Sequence, residues 1–374
     1  MAREKLMNVA EFQRTLGESG FDAVVATSQP NVFYTSGAYF ITQISIPDRL
    51  AMTVLPTSGD DALLVCNIEE NLARQESWIE DVRSYVEFAE TPMHLLAEVL
   101  KEKGLAQGYI GIEGRRLGAA YYQELSQALP KARLGVCDWL FDHVRSIKTE
   151  GEIQRFAEAG RATERAIADA FRGAKVGDSE RDLLRTIREN AGVYGATDIV
   201  FGILGVADQS YEAHPPARER PIEREDLVRV DFGASWDGYG SDVARMAVVG
   251  EASSVQADTY KKVREVERGA IEFMRPGVRA RDVYDCVVEG YAKFGIEYPG
   301  PHCGHGFGFE THEAPMLHPY NEEELRPNML MCIEPVHFSE EVGGYQVEDL
   351  VLITEDGSEI LTNYGDAEEL FVIK

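Results

Sequence analysis

Residues 230–242 read VDFGASWDGYGSD, and this stretch places Asp231 and Asp242 on either side of a glycine-rich turn. The apolar residues before Asp231 predict a strand, and a hairpin would bring both carboxylates to one face. An aspartate beside glycine more often caps a turn. The stretch therefore indicates a functional pair only when three blocks further along the chain are considered with it.

Those three blocks each place one titratable side chain beside an apolar run. They read CGHGFG at 303–308, LMCIEP at 330–335 and VEDLVLI at 347–353. A buried carboxylate must be paired, protonated or bound to a metal. Four carboxylates neutralise two divalent cations, and such a pair, roughly 3.5–4 Å apart, can activate a water and polarise a carbonyl. The candidate metal ligands are Asp231, Asp242, His305, Glu334 and Glu348.

The four blocks, in this order, resemble the pita-bread metallopeptidases: methionine aminopeptidase, aminopeptidase P, prolidase and the metal-free relative creatinase. The family pattern is an Asp in a strand, a second Asp eleven residues later, a Gly-His-Gly-X-Gly turn, Glu-Pro and a final Glu. All five ligand positions are filled here. The resemblance implies a metal-bridging hydroxide that attacks a carbonyl, with Glu334 serving as both ligand and proton shuttle.

The resemblance also implies catalytic roles for two histidines. His312 matches the family's second histidine downstream of the Gly-His-Gly turn, and His214 matches its upstream histidine. Both would contact the scissile carbonyl or the oxyanion that forms from it. A surface loop histidine is the alternative for His214, since the Pro-Pro pair after it predicts an exposed segment.

The predicted ligand set contains oxygen and imidazole but no obligatory sulfur, which suits Mn²⁺, Co²⁺ or Zn²⁺. The resemblance favours Mn²⁺ or Co²⁺. Cys303 lies two residues before His305 and is either a small packing residue or a soft thiolate ligand.

The chain length of 374 residues predicts two domains. Alternating helical and strand patterns in the first half predict an α/β domain over residues 1–145. Within it, residues 27–37 (TSQPNVFYTSG) resemble a strand-to-turn segment of the prolidase and creatinase N-terminal domain. A capping box at Thr149 and Glu152 begins the second domain, residues 146–374.

An internal repeat runs through the second domain. Five residues between 177 and 195 recur with the same identity 100 positions later, and both copies read as helix, glycine turn, helix. Chance identity is one explanation. A duplicated helix pair is the other, and it matches the α+β pita-bread fold with pseudo-two-fold symmetry, whose helix pairs lie outside a curved antiparallel sheet.

Composition excludes several partners. The net charge of −27 argues against a nucleic-acid or anionic membrane partner. Five cysteines without a pair pattern argue against a disulfide framework. Residues 1–5 (MAREK) lead into a polar amphipathic stretch, and no apolar run approaches a membrane span. Cytoplasm is the default location that follows, and the resemblance suggests a homodimer.

The leading functional hypothesis is a dinuclear metal-dependent Xaa-Pro peptidase, either prolidase-like or aminopeptidase P-like. Two departures concern substrate recognition: Phe338 stands where those enzymes usually have Tyr, and Gln346 where they usually have Arg. They leave open an alternative, a metal-dependent C–N hydrolase of a small non-peptide amide resembling ectoine hydrolase or creatinase. A catalytically silent binding protein is the third hypothesis, and the filled ligand set opposes it.

Overall fold

The computed structural model describes residues 7–46, 48–298, 300–365 and 367–374, so the sequence at positions 1–5 lies outside the described residues. The chain divides into two compact units, and the boundary in the sequence falls between Arg145 and Ser146. Among the described residues, no helix has both the length and the apolar character to cross a membrane.

The first unit alternates helices with strands. Its elements are α1 (Val9–Ser19), β1 (Ala23–Ala26), α2 (Gln29–Ser36), α3 (Ile41–Ser45), β2 (Met52–Pro56), β3 (Ala62–Cys66), α4 (Glu70–Glu76), β4 (Asp81–Tyr85), α5 (Pro92–Glu102), β5 (Tyr109–Ile112), α6 (Ala119–Ala128), β6 (Arg133–Val136) and α7 (Asp138–Ser146). Its described strands form one six-stranded sheet in the order β4-β3-β2-β1-β5-β6. Strands β1 and β3 are buried along their whole length, as expected for a sheet covered by helices.

The prediction of a strand-to-turn segment at residues 27–37 is wrong, because most of it forms helix α2. The Ser28 side chain accepts a hydrogen bond from the Asn31 N–H and caps the helix, and Pro30 lies in the first turn. Both are helix-start signals. Gly37 ends the helix in the left-handed conformation, with φ of 77°.

The second unit carries two helix pairs and a set of mostly antiparallel strands. Its elements are α8 (Glu150–Gly173), α9 (Glu180–Val193), β7 (Asp198–Val206), β8 (Leu227–Trp236), β9 (Tyr239–Gly240), β10 (Val243–Val249), α10 (Ser254–Phe273), α11 (Ala280–Ala292), β11 (Gly304–Gly306), β12 (Glu313–Met316), β13 (Leu330–Ile333), β14 (Val336–Ser339), β15 (Gly343–Gln346), β16 (Asp349–Ile353), β17 (Ser358–Ile360) and β18 (Phe371–Ile373).

The two helix pairs are built alike, as the 100-residue repeat predicts. Gly177 lies between α8 and α9, and Gly277 between α10 and α11, with φ of 97° and 84°. Their N–H groups donate to the carbonyls of Ile222 and Leu325, respectively. The same backbone contact in both copies supports a duplicated unit rather than chance identity.

The described strands of this unit form two five-stranded sheets and one two-stranded ribbon, instead of the single curved sheet expected. One sheet has the order β18-β10-β8-β7 with β9 on β8, the other has the order β12-β11-β13-β16-β17, and the ribbon is β14-β15. An isolated bridge between Ala244 and Glu348 joins the two sheets. The two sheets are therefore joined at the segments that carry two predicted ligands, Asp242 and Glu348.

Helix α8 anchors the backbone around His305 through an aromatic cluster. The fully buried ring of Phe156 lies 5.1 Å from that of Tyr239, 5.8 Å from Phe307 and 5.7 Å from Phe309. We expect Phe156→Ala to lower the free energy of unfolding by about 3–5 kcal/mol, the usual cost of truncating a buried aromatic residue. Chemical denaturation measures this, with Tyr320→Ala, 86% exposed in the same unit, as the control. A loss below about 1 kcal/mol would contradict a structural role for the cluster.

Candidate metal centre

The five predicted ligands come from both sheets of the second unit. Asp231 lies in β8, and Asp242 directly precedes β10, which pairs with β8. His305 lies in β11, so the predicted Gly-His-Gly turn is a short strand. Glu334 directly follows β13, the partner of β11, and Glu348 directly precedes β16. The structure thus brings carboxylates from both sheets to one place.

His305 faces three of the four carboxylates. Its Nε2 atom lies 3.8 Å from Asp242 Oδ2, 3.5 Å from Glu334 Oε1 and 3.6 Å from Glu348 Oε1. All three separations are longer than a hydrogen bond. The ring and the carboxylates therefore converge without satisfying one another.

The protonation of His305 suits a ligand. Its Nδ1 lies 3.1 Å from the carbonyl oxygen of Gly306, which can only accept, so Nδ1 carries the hydrogen and donates. Burial lowers the pKa of His305 to about 4, and the ring is neutral at pH 7. Nε2 then presents its lone pair to the carboxylate cluster, the arrangement by which proteins orient a metal-binding histidine.

Several carboxylate oxygens at this place are orphaned. Among the described residues, no donor reaches Asp231 Oδ1, Asp242 Oδ1 or Glu348 Oε1, although all three atoms are buried. Burial and the charge of Glu348 raise the pKa of Asp242, and burial and the same neighbour raise the pKa of Glu334. Buried acceptors without donors are costly. Divalent cations would satisfy the lone pairs and cancel the repulsion, so these residues fit the metal that the donor set implies.

The cysteine beside the cluster is Cys332 and not Cys303, the residue that the sequence singled out. The ligand atoms of Cys332, Asp242, His305 and Glu348 all lie within 4.8 Å of one another. Cys332 lies two residues before Glu334 on β13, and side chains two apart share a face of a strand. That alternation was the available signal. Burial and the nearby charge of Glu348 raise the pKa of Cys332, so its thiol is neutral here.

A cavity of about 410 Å³ opens onto the five residues. His214 and His312, the two predicted catalytic histidines, both line it. The His312 ring stacks on that of His305 with centroids 4.0 Å apart, and the ring centroid of His302 lies 5.8 Å from that of His312. The remaining walls are largely apolar and include Phe201, Ile203, Tyr298, Val336 and Phe338. The cavity lining thus combines imidazoles, carboxylates and apolar surface.

Comparison with known proteins gives the family. The profile described as metallopeptidase family M24 matches residues 154–355, and the creatinase/prolidase N-terminal domain matches residues 9–147. The chain belongs to metallopeptidase family M24. Membership implies divalent metal ions, in agreement with the donor set.

Relatives in the M24 family cover nearly the whole chain. A Xaa-Pro dipeptidase from Pyrococcus horikoshii is 31% identical over 364 residues, which span 96% of this chain and 97% of the relative. The solved prolidase from Pyrococcus horikoshii superposes with a TM-score of 0.83 at 29% identity, covering 97% of this chain and 99% of that one. The X-Pro aminopeptidase from Thermotoga maritima, at 24% identity and a TM-score of 0.84 over 96% and 100% of the chains, shares the fold. The predicted two-domain pita-bread fold is confirmed.

Next to the five candidate ligands lies a buried ion network that positions Glu348. Arg245 donates through Nη1 to the Glu348 carbonyl oxygen at 2.7 Å, and through Nη2 to Glu164 and Asp349, each at 2.7 Å. Although burial opposes it, the charges of Arg245 and Arg264 lower the pKa of Asp349 to about 2. Adjacent strand residues face opposite sides. Glu348 therefore points into the cluster while Asp349 holds the backbone from behind.

Proposed function

We propose that this chain is a metal-dependent hydrolase of Xaa-Pro bonds in small peptides, with a dinuclear centre held by Asp231, Asp242, His305, Glu334 and Glu348. The observation that carries the proposal is the convergence of three carboxylates on the Nε2 atom of His305, together with the buried oxygens of Asp231, Asp242 and Glu348 that no described donor reaches. Two bound cations would supply a Lewis acid and an activated water at that point. Mn²⁺ or Co²⁺ are the proposed ions, with Zn²⁺ as the alternative.

Glu334 is the proposed proton carrier. Its Oε1 atom lies 3.6 Å from His302 Nδ1 and 3.5 Å from His305 Nε2. The side chain is 14% exposed, against 4% for Asp242 and 2% for Glu348, and it lines the cavity. A carboxylate at the edge of the cluster can accept a proton from water and return it to a leaving nitrogen.

His214 and His312 are the proposed oxyanion donors. Both line the cavity, and His312 stacks directly on the ligand His305. An N–H group placed beside the reacting carbonyl stabilises the charge that develops on its oxygen. The apolar walls, among them Phe201 and Val336, suit a pyrrolidine ring because they would bury its carbon atoms.

A small non-peptide amide is the second candidate substrate. No lysine or arginine is among the described residues that line the cavity, so none of them would pair directly with a free substrate carboxylate. A homodimer and a cytoplasmic location are also proposed, the first from family resemblance and the second from the sequence pattern.

A substrate panel on metal-loaded protein tests the function. The panel contains one Xaa-Pro dipeptide, a longer Xaa-Pro peptide, the matching Xaa-Ala dipeptide and a cyclic amidine. We expect kcat/KM for an Xaa-Pro substrate to exceed that for Xaa-Ala by about 10–200-fold, the range that one apolar pocket can supply. Turnover of the cyclic compound alone would favour the second candidate. Full metal loading without any turnover would contradict the proposal.

A further inference from the structure

Arg229 is a buried cation in the second unit, close to the candidate metal ligands. It lies two residues before Asp231 on β8, so both side chains project from the same face of the strand. Only 1% of the residue is exposed. An arginine guanidinium stays charged in proteins. A buried charge is costly, so its contacts indicate what it serves.

One arm of these contacts leads to two candidate metal ligands. Arg229 Nη1 donates to Gln346 Oε1 at 2.5 Å. Gln346 Nε2 then donates to Asp231 Oδ2 at 3.1 Å and to Glu334 Oε2 at 3.2 Å. The guanidinium can only donate, so it determines which end of the Gln346 amide faces the carboxylates.

The other arm leads to the segment that carries His214. Arg229 Nε donates to the Ser210 carbonyl at 2.8 Å, and Nη2 donates to the carbonyls of Ala213 (3.0 Å) and Glu212. The carbonyl of Ala213 belongs to the peptide unit that enters His214. One side chain therefore fixes the approach to a proposed oxyanion donor as well as two proposed ligands.

In a third contact, the guanidinium of Arg229 lies over an aromatic ring. It lies 5.0 Å from the ring centroid of Phe338, within the range of a cation–π interaction. Phe338 and Gln346, the two departures from the usual prolidase sequence, thus both contact Arg229.

The indirect contact of Arg229 with the carboxylates, through Gln346, has a specific advantage over a direct ion pair. A bidentate arginine–carboxylate pair would occupy both oxygens of the carboxylate. Gln346 engages only Asp231 Oδ2 and Glu334 Oε2. The other two oxygens remain directed elsewhere: Asp231 Oδ1 meets no donor among the described residues, and Glu334 Oε1 faces His305. The positive charge of Arg229 offsets both carboxylates while leaving one oxygen of each for a cation.

We propose that Arg229 is a positioning residue that acts through Gln346 on Asp231 and Glu334, and through three backbone carbonyls on His214. The inference rests on the proposed metal centre. It assigns to Arg229 two separable effects, one on metal affinity and one on turnover.

Three variants separate the arms. Gln346→Met breaks the arm to the ligands and leaves the carbonyl contacts of Arg229 in place. Arg229→Met breaks both arms, and Arg229→Lys keeps the charge but cannot reproduce the planar set of donors. Arg218→Met is the control, since Arg218 is an ion-paired arginine of the same unit whose partners are Glu180 and Asp208.

The measurements are the Mn²⁺ affinity of metal-free protein by calorimetry, kcat at saturating Mn²⁺, and the melting temperature. We expect Gln346→Met to weaken Mn²⁺ binding about 10–100-fold, the scale for partners that orient metal ligands, and to lower kcat at saturation less than Arg229→Met does. Arg229→Met should weaken binding by a similar factor and also lower kcat. Arg229→Lys should fall between Arg229→Met and wild type in affinity, and Arg218→Met should match wild type in both.

The double variant Arg229→Met/Gln346→Met is decisive, because the two residues act as links of one chain. It should bind Mn²⁺ no more weakly than Arg229→Met alone. Additive losses, or wild-type affinity in Arg229→Met, would overturn the proposal. If Arg229→Met does not fold, the same cycle is run with Arg229→Lys. Wild-type protein that binds none of Mn²⁺, Co²⁺ and Zn²⁺ would overturn the metal centre itself and this proposal with it.

Discussion

Glu334→Ala should lower kcat/KM for an Xaa-Pro substrate more than about 10³-fold, because loss of general acid–base catalysis alone costs roughly 10²–10⁴-fold. The same substitution also removes a proposed ligand. Glu334 Oε1 lies 3.5 Å from His305 Nε2, and Oε2 accepts from Gln346, so truncation opens the cluster on the cavity side. The measurements are steady-state kinetics and metal content on the same preparation.

Glu340→Ala is the matched control for that experiment. Glu340 is an exposed glutamate between β14 and β15, in the same unit but away from the cluster lining. It should keep wild-type kinetics and metal content. If Glu334→Ala retained more than about a tenth of wild-type kcat/KM, the decrease would be too small for the loss of an acid–base group. The role assigned to Glu334 would then be wrong.

The second large effect concerns the histidines of the cavity. We expect His312→Ala and His214→Ala each to lower kcat by about 10²–10³-fold, the cost of one lost oxyanion donor. Neither residue is a proposed ligand, so metal content should stay near wild type. Kinetics at saturating substrate and elemental analysis measure the two quantities.

An exposed histidine of the first unit provides the control for this prediction. His94 lies on α5 in the first unit, with its side chain 62% exposed, and His94→Ala should leave kcat unchanged. A His312 variant that lost metal but kept its rate per bound metal would show that His312 supports His305 structurally. The 4.0 Å stacking of the two rings makes that comparison necessary.

The ligand set could be predicted from the sequence because burying carboxylates has few solutions. Glu334 and Glu348 adjoin strands β13 and β16, whose own residues are almost all buried. Carboxylates in such surroundings require cations or hydrogen-bond donors. Cys332 was within reach of the same reasoning, since strand alternation places it on the face of Glu334. The roles assigned to these residues remain predictions until the variants are measured.

Arg229 could not have been predicted in this way. Its contact with Gln346 spans 117 residues, and its contacts with the segment before His214 depend on the path of a loop. Strand alternation places Arg229 on the same face of β8 as Asp231, but the local pattern does not reveal its partners. Only the three-dimensional structure shows the charge behind the two ligands.

The fold, like the site, could be predicted from the sequence only in part. The repeat at 100 residues identified both helix pairs, because a glycine with positive φ is needed at each turn. The number of sheets was not predictable, since it depends on backbone pairing between β10 and β16 being limited, among the described residues, to the single bridge of Ala244 with Glu348. Helix α2 was missed because its capping serine and early proline were read as a turn.

Titration of metal-free protein with Mn²⁺, following bound ions and hydrolysis of one Xaa-Pro dipeptide together, tests the central claim most directly. We expect activity to rise as two ions bind per chain and to be lost when a chelator removes them. Hydrolysis at the full rate by protein that holds no divalent ion would contradict the dinuclear centre.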